Sequence, residues 1–368
     1  MKKLGFGAMR LPVLDSDGAA IDVKQLTEMV DLFLDHGFTY FDTSYVYHGG
    51  ESEKILKQVL VDRYPRSAFT ITTKSPLFLV ESKQDFFRIF QEQLERLGTD
   101  YVDYYWLHAV NGEMYQKVQR LGLVEELMKL KEEGKAKHIG FSYHDSPELL
   151  DKILTDHPEF EYVQLQLNYF DWDSPYVASR ECYEVCKKHG KLVVAMEPVK
   201  GGGLATLPEP LENVLKSCTP GLSVASWGIR YAASQDHVFM VLSGMSNMGQ
   251  MEDNISYMED FHPLNDRETA AIQEVVHALR QDMAYEPEAL KEAEKLCPKH
   301  IGIIKIAQML NDHKKMNNYT NTCIYYEPYL GNAGKAADCD GCGKCMTANG
   351  GLDIPAMLKE ADETITHF

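Results

Sequence analysis

The sequence lacks a long apolar run, an excess of positive charge and a dense set of cysteines. No stretch approaches the roughly 18 consecutive apolar residues that a membrane-spanning helix needs, and the first residues, MKKLGFGAMRLP, do not resemble an export signal. Its 37 basic residues are outnumbered by 55 acidic ones, and the formal charge of -18 disfavours nucleic acid and membrane surfaces as partners. Eight cysteines in 368 residues favour reduced thiols or metal ligands over a disulfide scaffold. We therefore expect a globular protein in the cytoplasm.

The apolar pattern alternates between short runs typical of strands and longer stretches with helical periodicity. Eight strands are predicted, at residues 4–11, 38–43, 69–74, 102–108, 137–142, 161–168, 191–197 and 237–244. Two of the amphipathic stretches between them close at Gly37 and Gly98, where helices commonly end. A doubly wound sheet is disfavoured, because the first strand leads into LPVLDSDGAAID, which has no glycine-rich phosphate-binding turn. We predict an α/β fold, a (β/α)8 TIM barrel.

The last part of the chain has a different pattern. After about residue 260 the alternation stops, and helical segments lead into a loop-rich tail. Five of the eight cysteines lie after residue 290. We predict a barrel domain at 1–282 and a small, mostly helical, cysteine-containing C-terminal extension at 283–368.

Four ionisable residues stand at or just beyond the C-terminal ends of predicted strands: Asp42, Tyr47, Lys74 and His108. In a parallel barrel these ends share one face, which is where such barrels carry out chemistry. A phenol is a poor acid at neutral pH, but the ammonium of Lys74 would favour the phenolate of Tyr47, and Asp42 would hold Lys74 charged and oriented. A neutral His108 can donate a hydrogen bond to a carbonyl oxygen and polarise it for attack by hydride. This set of residues suits carbonyl reduction.

These residues, with GFGAMRLP near the start, GGESEKIL after the tyrosine and LSGMSNMGQMEDN late in the chain, resemble the aldo-keto reductase superfamily. The resemblance extends from residue 4 to the tail. It implies that Tyr47 is the general acid, that Lys74 and Asp42 lower its pKa, and that His108 orients the substrate carbonyl. It also implies a nicotinamide cofactor, NADPH or NADH, across the barrel mouth, and a small-molecule carbonyl or alcohol substrate.

The resemblance further implies contacts to the cofactor after several strands. Ser142 and Gln164, after the fifth and sixth strands, would hold the carboxamide. The loop MEPVKGGGLA after the seventh strand resembles the family's pyrophosphate clasp, with Lys200, Gly201 and Gly202 as contacts.

The segment SGMSNMGQMEDN resembles the adenosine-phosphate site of the same family. Its predicted contacts are Gly244, Met245, Ser246, Asn247, Gln250 and Asn254. No base stands between Arg230 and Arg267, so NADH use, dual use and a basic residue donated from elsewhere all stay open.

Aromatic side chains beyond strand ends are candidates for the substrate pocket. The predicted substrate residues are Tyr143, Phe170 and Trp172. Trp106 lies two positions before His108, on the same side of its strand, and is predicted to fill the barrel. We interpret His144 as a solvated loop histidine.

The tail carries the motif Cys339-x-x-Cys342-x-x-Cys345. Three closely spaced thiolates can wrap one [4Fe-4S] cubane, so these cysteines are predicted metal ligands. The tail resembles the iron-sulfur extension of one branch of these reductases, but Ala348 stands where the fourth cysteine would be.

The fourth ligand of this site is open in the sequence. Folding could bring in Cys323, the first candidate, or Cys297; the site could bind a metal with an open position; or the module could pack without a cluster.

The function that these features predict is nicotinamide-dependent reduction of an aldehyde or ketone, or the reverse oxidation of an alcohol. One alternative is a non-enzymatic subunit that binds the cofactor and a partner protein through its tail. The other is electron transfer between the cluster and the nicotinamide, with a redox protein as partner.

Overall fold

The eight strands of the chain are parallel and close into a barrel in sequence order. The computed structural model describes residues 2–14, 20–281, 283–316, 319–348 and 351–366. The strands are β1 Leu4–Gly7, β2 Tyr40–Asp42, β3 Thr70–Pro76, β4 Val102–Val110, β5 Ala136–Tyr143, β6 Tyr162–Gln166, β7 Leu192–Met196 and β8 Val238–Ser243. Each overlaps a predicted strand, so the predicted barrel is confirmed.

Helices connect the strands and continue after them. The first ten are α1 Val23–Asp35, α2 Glu51–Leu56, α3 Lys83–Leu97, α4 Gly112–Leu121, α5 Leu123–Glu132, α6 Pro147–Asp156, α7 Ser179–Lys188, α8 Glu209–Cys218, α9 Val224–Ala233 and α10 Met248–Met258. The later ones are α11 Asp266–Gln281, α12 Lys291–Lys295, α13 Ile303–Met316, α14 Tyr319–Leu330 and α15 Ile354–Ile365. Within the described ranges, no helix is both long and apolar enough to cross a bilayer.

Helix α3 shows how the sequence sets these boundaries. The side chain of Ser82 accepts a hydrogen bond from the backbone N–H of Asp85 and so caps the first turn. Gly98 ends the helix in the left-handed conformation, with φ of 66°, as predicted for this glycine. Between these caps, helical spacing places one apolar face toward the core. Its buried members include Phe86, Ile89, Phe90, Leu94 and Leu97.

Large side chains fill the barrel interior. Trp106 has no exposed surface and packs with Tyr104 and Tyr162, which confirms its predicted place in the barrel. Trp106, Gly140 and Tyr162 are neighbours across β4, β5 and β6. A Cβ atom at Gly140 would lie 2.4 Å from the carbonyl oxygen of Tyr162 and 2.7 Å from the indole of Trp106. The tryptophan is therefore accommodated only because its neighbour is glycine.

The chain divides into two compact units. The first consists of Met1–Asp173, Ala178–Pro198 and Ser226–Leu264, and the second of Ser174–Val177, Val199–Ala225 and Asn265–Phe368. The first unit contains all eight strands, and the second is helical, with its own apolar core from α13, α14 and α15. A helical, cysteine-containing C-terminal part is therefore present, whereas the division between residues 282 and 283 stays a prediction.

Candidate active site

The barrel brings the four predicted catalytic residues to one end of the first unit. Asp42 is the last residue of β2, Lys74 lies in β3, and His108 lies near the end of β4. Tyr47 begins the short 3-10 helix Tyr47–Gly50 after β2. Because all strands are parallel, their C-terminal ends meet on the face where barrels of this kind carry their chemistry.

Lys74 is the centre of this group. Its Nζ donates to Asp42 Oδ1 at 2.6 Å, to the carbonyl oxygen of Thr43 at 2.8 Å and to the hydroxyl of Tyr47 at 3.3 Å. Asp42 and Lys74 are buried. An ammonium has three protons, and these three acceptors take all of them, which fixes the orientation of Lys74.

The charges of this buried group follow from its contacts. Burial lowers the pKa of Lys74, but Asp42 and Tyr47 raise it by more than burial lowers it. The pKa therefore lies above its ordinary value, and the amine stays an ammonium. Burial raises the pKa of Tyr47, and Lys74 opposes that shift. Lys74 therefore acts on Tyr47 in the expected direction, whereas Asp42 raises the pKa of the phenol instead of lowering it. Burial outweighs the effect of Lys74, and the phenol keeps its proton at neutral pH.

His108 stands beside the phenol. Its ring lies edge-on to that of Tyr47, with centroids 5.9 Å apart, and its Nδ1 is 3.1 Å from Ser44 Oγ. Burial lowers the pKa of His108 well below 6.5, and Lys74 and His144 lower it further. The imidazole is therefore neutral at pH 7 and can act as a hydrogen-bond donor.

His144 corrects one interpretation of the sequence. It is only 8% exposed, rather than solvated, and burial lowers its pKa to about 4. Its position two residues after Ser142 could have indicated this burial, because alternate residues of a strand share one face. The prediction placed His144 in a loop. In the structure, β5 extends to Tyr143, and the backbone N–H of His144 still donates to the carbonyl oxygen of Val110.

A buried polar network behind Lys74 was not predicted. Glu53 Oε1 accepts from Thr73 Oγ1 at 2.6 Å and from Gln93 Nε2 at 2.8 Å, and the same nitrogen of Gln93 lies 3.1 Å from the carbonyl oxygen of Lys74. Tyr105 donates to Gln93 Oε1 at 2.8 Å. The network connects β3 to α2 and α3 beside Lys74, the predicted catalytic lysine. The only signal in the sequence was the Glu53 of GGESEKIL.

Two predicted carboxamide contacts lie side by side. Ser142 and Gln164 are register partners on β5 and β6. Ser142 Oγ accepts from the backbone N–H of Ala109 at 2.7 Å, where β4 bulges after His108. Gln164 Oε1 is buried and has no hydrogen-bond partner among the residues described. A buried acceptor without a partner is costly, so this oxygen fits a ligand that donates from an amide.

The segment after β8 is held largely by its own side chains. Asn247 caps α10 by accepting from the N–H of Gln250, and Gln250 Oε1 accepts from the N–H of Ser246. Asn254 donates to Ser243 Oγ at 2.7 Å. Met245 and Asn254 are buried.

One cation lies beside this segment although it comes from elsewhere in the sequence. Ser246 Oγ donates to the carbonyl oxygen of Arg10 at 3.0 Å. A Cβ atom at Gly244 would be 3.3 to 3.5 Å from the side-chain carbons of Arg10. The guanidinium of Arg10 is 3.9 Å from Glu197 Oε1. Arg10 is thus a base close to the predicted adenosine-phosphate segment.

The predicted pyrophosphate clasp belongs to the second unit. Lys200, Gly201 and Gly202 form a 3-10 turn in which all three residues have positive φ, of 49°, 63° and 104°. The turn is closed by hydrogen bonds from Gly202 to Val199 and from Gly203 to Lys200. Glycine accommodates this backbone without the steric cost that a side chain would add.

The three predicted substrate residues differ in their surroundings. Tyr143 alternates with Ser142 on β5, is 1% exposed, and donates to the carbonyl oxygen of Ser146 at 2.6 Å. Phe170 is buried, and Trp172 is half-buried with its ring 5.5 Å from that of Tyr183. The structure therefore places Tyr143 on the opposite side of its strand from Ser142, so it is not retained as a substrate residue.

The cysteines of the tail meet in the second unit. Cys297, Cys339, Cys342 and Cys345 line one cavity, whose space is about 330 Å³ including the part open to solvent. Cys323 lies in α14 and does not line it. Within the described ranges, no three His, Cys, Asp or Glu side chains converge closely enough to hold a single metal ion.

Comparison with known proteins agrees with this geometry. The sequence pattern of the Aldo/keto reductase family matches residues 3–277. L-galactose dehydrogenase of Arabidopsis thaliana is 28% identical over 297 residues, which cover 74% of this chain and 89% of that protein. Probable aldo-keto reductase 1 of Glycine max is 29% identical over 216 residues, which cover 55% of this chain and 57% of that protein.

Solved structures share the fold. An aldo-keto reductase of Klebsiella pneumoniae in complex with NADP and acetate has a TM-score of 0.61 at 22% identity, covering 74% of this chain and 91% of that one. The holo form of an aldo-keto reductase from Bacillus halodurans has a TM-score of 0.59 at 24% identity, with the same two coverages. With the family match, the chain belongs to the aldo-keto reductase family and is an NAD(P)H-dependent oxidoreductase that acts on carbonyl compounds.

Proposed function

We propose that Tyr47 is the general acid of this enzyme, with Lys74, Asp42 and His108 as the other catalytic residues. The observation that carries the proposal is the position of the Lys74 ammonium, 3.3 Å from the hydroxyl of Tyr47 and 2.6 Å from Asp42. A fixed ammonium at this distance favours the phenolate that forms when the phenol gives up its proton.

The proton and the hydride reach different atoms of the carbonyl group. When bound, the nicotinamide supplies the hydride, which adds to the carbonyl carbon. The O–H bond of Tyr47 breaks as its proton moves to the carbonyl oxygen, so the product is an alcohol and the residue is left as a phenolate. Lys74 stabilises that phenolate, and Asp42 keeps Lys74 charged. In the reverse reaction the phenolate accepts the proton of the alcohol.

His108 has the role of polarising the carbonyl group. Ser44 can donate to Nδ1, which leaves the proton of the neutral ring on Nε2. An N–H from Nε2 then stabilises the negative charge that develops on the carbonyl oxygen.

The cofactor contacts of the first unit are part of the proposal. Gln164 Oε1 accepts from the carboxamide, which would satisfy its buried lone pairs, and Ser142 lies next to it. The proposed adenosine-phosphate contacts are Gly244, Met245, Ser246, Asn247, Gln250 and Asn254. In the second unit, the proposed pyrophosphate contacts are Lys200, Gly201 and Gly202.

NADPH is the cofactor that the charges favour. Arg10 lies beside Gly244 and Ser246, and a guanidinium pairs well with a phosphate. NADH use is the alternative, because the segment 244–254 itself contains no base. Phe170 and Trp172 are the proposed walls of the substrate pocket.

The test compares Tyr47→Phe with Tyr45→Phe as a matched control. Tyr45 donates to Glu92 and takes no part in the Lys74 group. We expect Tyr47→Phe to lower kcat for the reduction of a panel of aldehydes and ketones by about 100-fold or more, with NADPH affinity unchanged. Tyr45→Phe should keep wild-type activity. Equal activity of Tyr47→Phe and wild type would overturn the proposed role.

A second candidate function involves the tail. The cavity lined by four cysteines supports a [4Fe-4S] cluster in which Cys339, Cys342 and Cys345 are ligands. Such a cluster supplies one-electron chemistry, and a redox protein would then be the partner. Anaerobic purification with iron and sulfide analysis tests it: about four of each per chain support the cluster, and their absence after reconstitution overturns it. The cytoplasmic location stays a prediction.

A further inference from the structure

We propose that Cys297 is the fourth thiolate ligand of the tail, so that a bound [4Fe-4S] cluster has no open iron position. The inference rests on the proposed cluster and deepens it. Cys297 lines the same cavity as Cys339, Cys342 and Cys345, whereas Cys323 does not.

The local fold explains how a residue so far back in the sequence reaches the triplet. Cys297 follows α12, and its N–H donates to the carbonyl oxygen of Glu294 at 3.1 Å. The next residues then pair with the segment before the triplet. Gly334 N–H donates to the carbonyl oxygen of His300 at 2.8 Å, and Gly302 N–H donates to that of Gly334 at 3.0 Å. These bonds hold the two segments side by side.

The pairing depends on a glycine. A Cβ atom at Gly334 would lie 2.6 Å from the carbonyl oxygen of Lys299, a distance that no side chain tolerates without a shift of the backbone. Lys299 is also 4.0 Å from Asp340, between the first two cysteines of the triplet. Glycine at position 334 therefore allows the segment of Cys297 to lie against the segment that leads into the triplet.

The sequence around Cys297 agrees with this role. In ferredoxins with two clusters, the cysteine that precedes proline ligates a different cluster from the triplet next to it, so a Cys-Pro pair serves a triplet that is remote in sequence. Cys297 is followed by Pro298, and both line the cavity. Cys297 and Pro298 thus supply the Cys-Pro pair that does not follow the triplet.

The four cysteines of the cavity match in number the four thiolates that hold a [4Fe-4S] cluster. Thiolates around a single tetrahedral zinc lie about 3.8 Å apart, as follows from a Zn–S bond of about 2.3 Å. The described cysteines form no group close enough for one ion, yet four of them surround one cavity. With four thiolates, every iron is ligated by the protein, which suits electron transfer and leaves no iron for a substrate.

The test compares Cys297→Ser with Cys323→Ser as the matched control, after anaerobic reconstitution with iron and sulfide. We expect wild type and Cys323→Ser to hold about four irons per chain with identical EPR spectra after reduction. Cys297→Ser should lose about one iron per chain or change its EPR spectrum. Four irons and an unchanged spectrum in Cys297→Ser would overturn this inference while the proposed cluster stands. Absence of iron from all three proteins would overturn the cluster itself.

A second measurement avoids any variant that folds poorly. The reconstituted wild-type protein is alkylated before and after removal of iron with a chelator, and the labelled cysteines are identified by mass spectrometry. We expect labelling of Cys297 to rise at least several-fold on removal of iron, together with that of Cys342. Equal labelling of Cys297 in both states, with protection of Cys342, would overturn the proposal.

Discussion

Lys74→Met should destabilise the protein strongly, because it leaves a buried carboxylate without its cation. Asp42 is 2% exposed, its Oδ1 accepts from Lys74, and its Oδ2 has no hydrogen-bond partner among the described residues. Removing one member of a buried ion pair costs about 3–5 kcal/mol. Asp42→Asn combined with Lys74→Met removes both charges, so the double variant should be more stable than Lys74→Met alone.

The assay is urea unfolding at pH 8 and at pH 5.5. In Lys74→Met, burial raises the pKa of folded Asp42 above the unfolded value of about 3.9, so the folded state binds a proton that the unfolded state lacks. The deficit relative to wild type therefore grows as pH rises and shrinks as pH falls. A loss of less than about 1 kcal/mol in Lys74→Met at pH 8, or a double variant no more stable than the single one, would show that Asp42 does not depend on Lys74 for its charge.

Three further predictions concern other parts of the barrel. The pKa of His144 is about 4 in the folded protein and about 6.5 when unfolded, so stability should fall by up to about 3 kcal/mol as pH drops from 6.5 to 4. Urea unfolding of His144→Gln should show a smaller fall, and an equal fall would contradict this. Gly140→Ala places Cβ 2.4 Å from the carbonyl oxygen of Tyr162 and should lower the free energy of unfolding by about 1–3 kcal/mol or more. Gly112→Ala, where Cβ makes only ordinary van der Waals contacts, should lower it little. Arg10→Ala should weaken NADPH binding about 10-fold in a fluorescence titration and leave NADH binding unchanged; equal effects would argue against a phosphate contact.

The sequence predicted those features that depend on local periodicity and on chain order. Alternating strands and helices define a barrel, and parallel strands bring Asp42, Lys74 and His108 to one end. The same rule of alternation would have shown that Tyr143 faces away from Ser142, and that His144 shares its side. These two were missed because strand β5 extends beyond the predicted end.

The remaining features depend on approaches between distant segments, which no local pattern reveals. The network of Glu53, Gln93 and Thr73 joins three elements around the backbone of Lys74. The meeting of Cys297 with the triplet depends on backbone hydrogen bonds between segments more than 30 residues apart. Composition and spacing identify the ligand types in such cases, but only the fold identifies the partners.

Single-turnover kinetics measure whether Tyr47 delivers the proton during hydride transfer. Enzyme saturated with NADPH, or with its 4-deuterated form, is mixed with excess aldehyde, and oxidation of the nicotinamide is followed by absorbance. We predict that Tyr47→Phe slows this step by about 100- to 10,000-fold, with a full isotope effect and unchanged cofactor binding. An unchanged rate in Tyr47→Phe would contradict the proposed role of Tyr47, and no oxidation by wild type with any aldehyde or ketone would favour a cofactor-binding subunit instead.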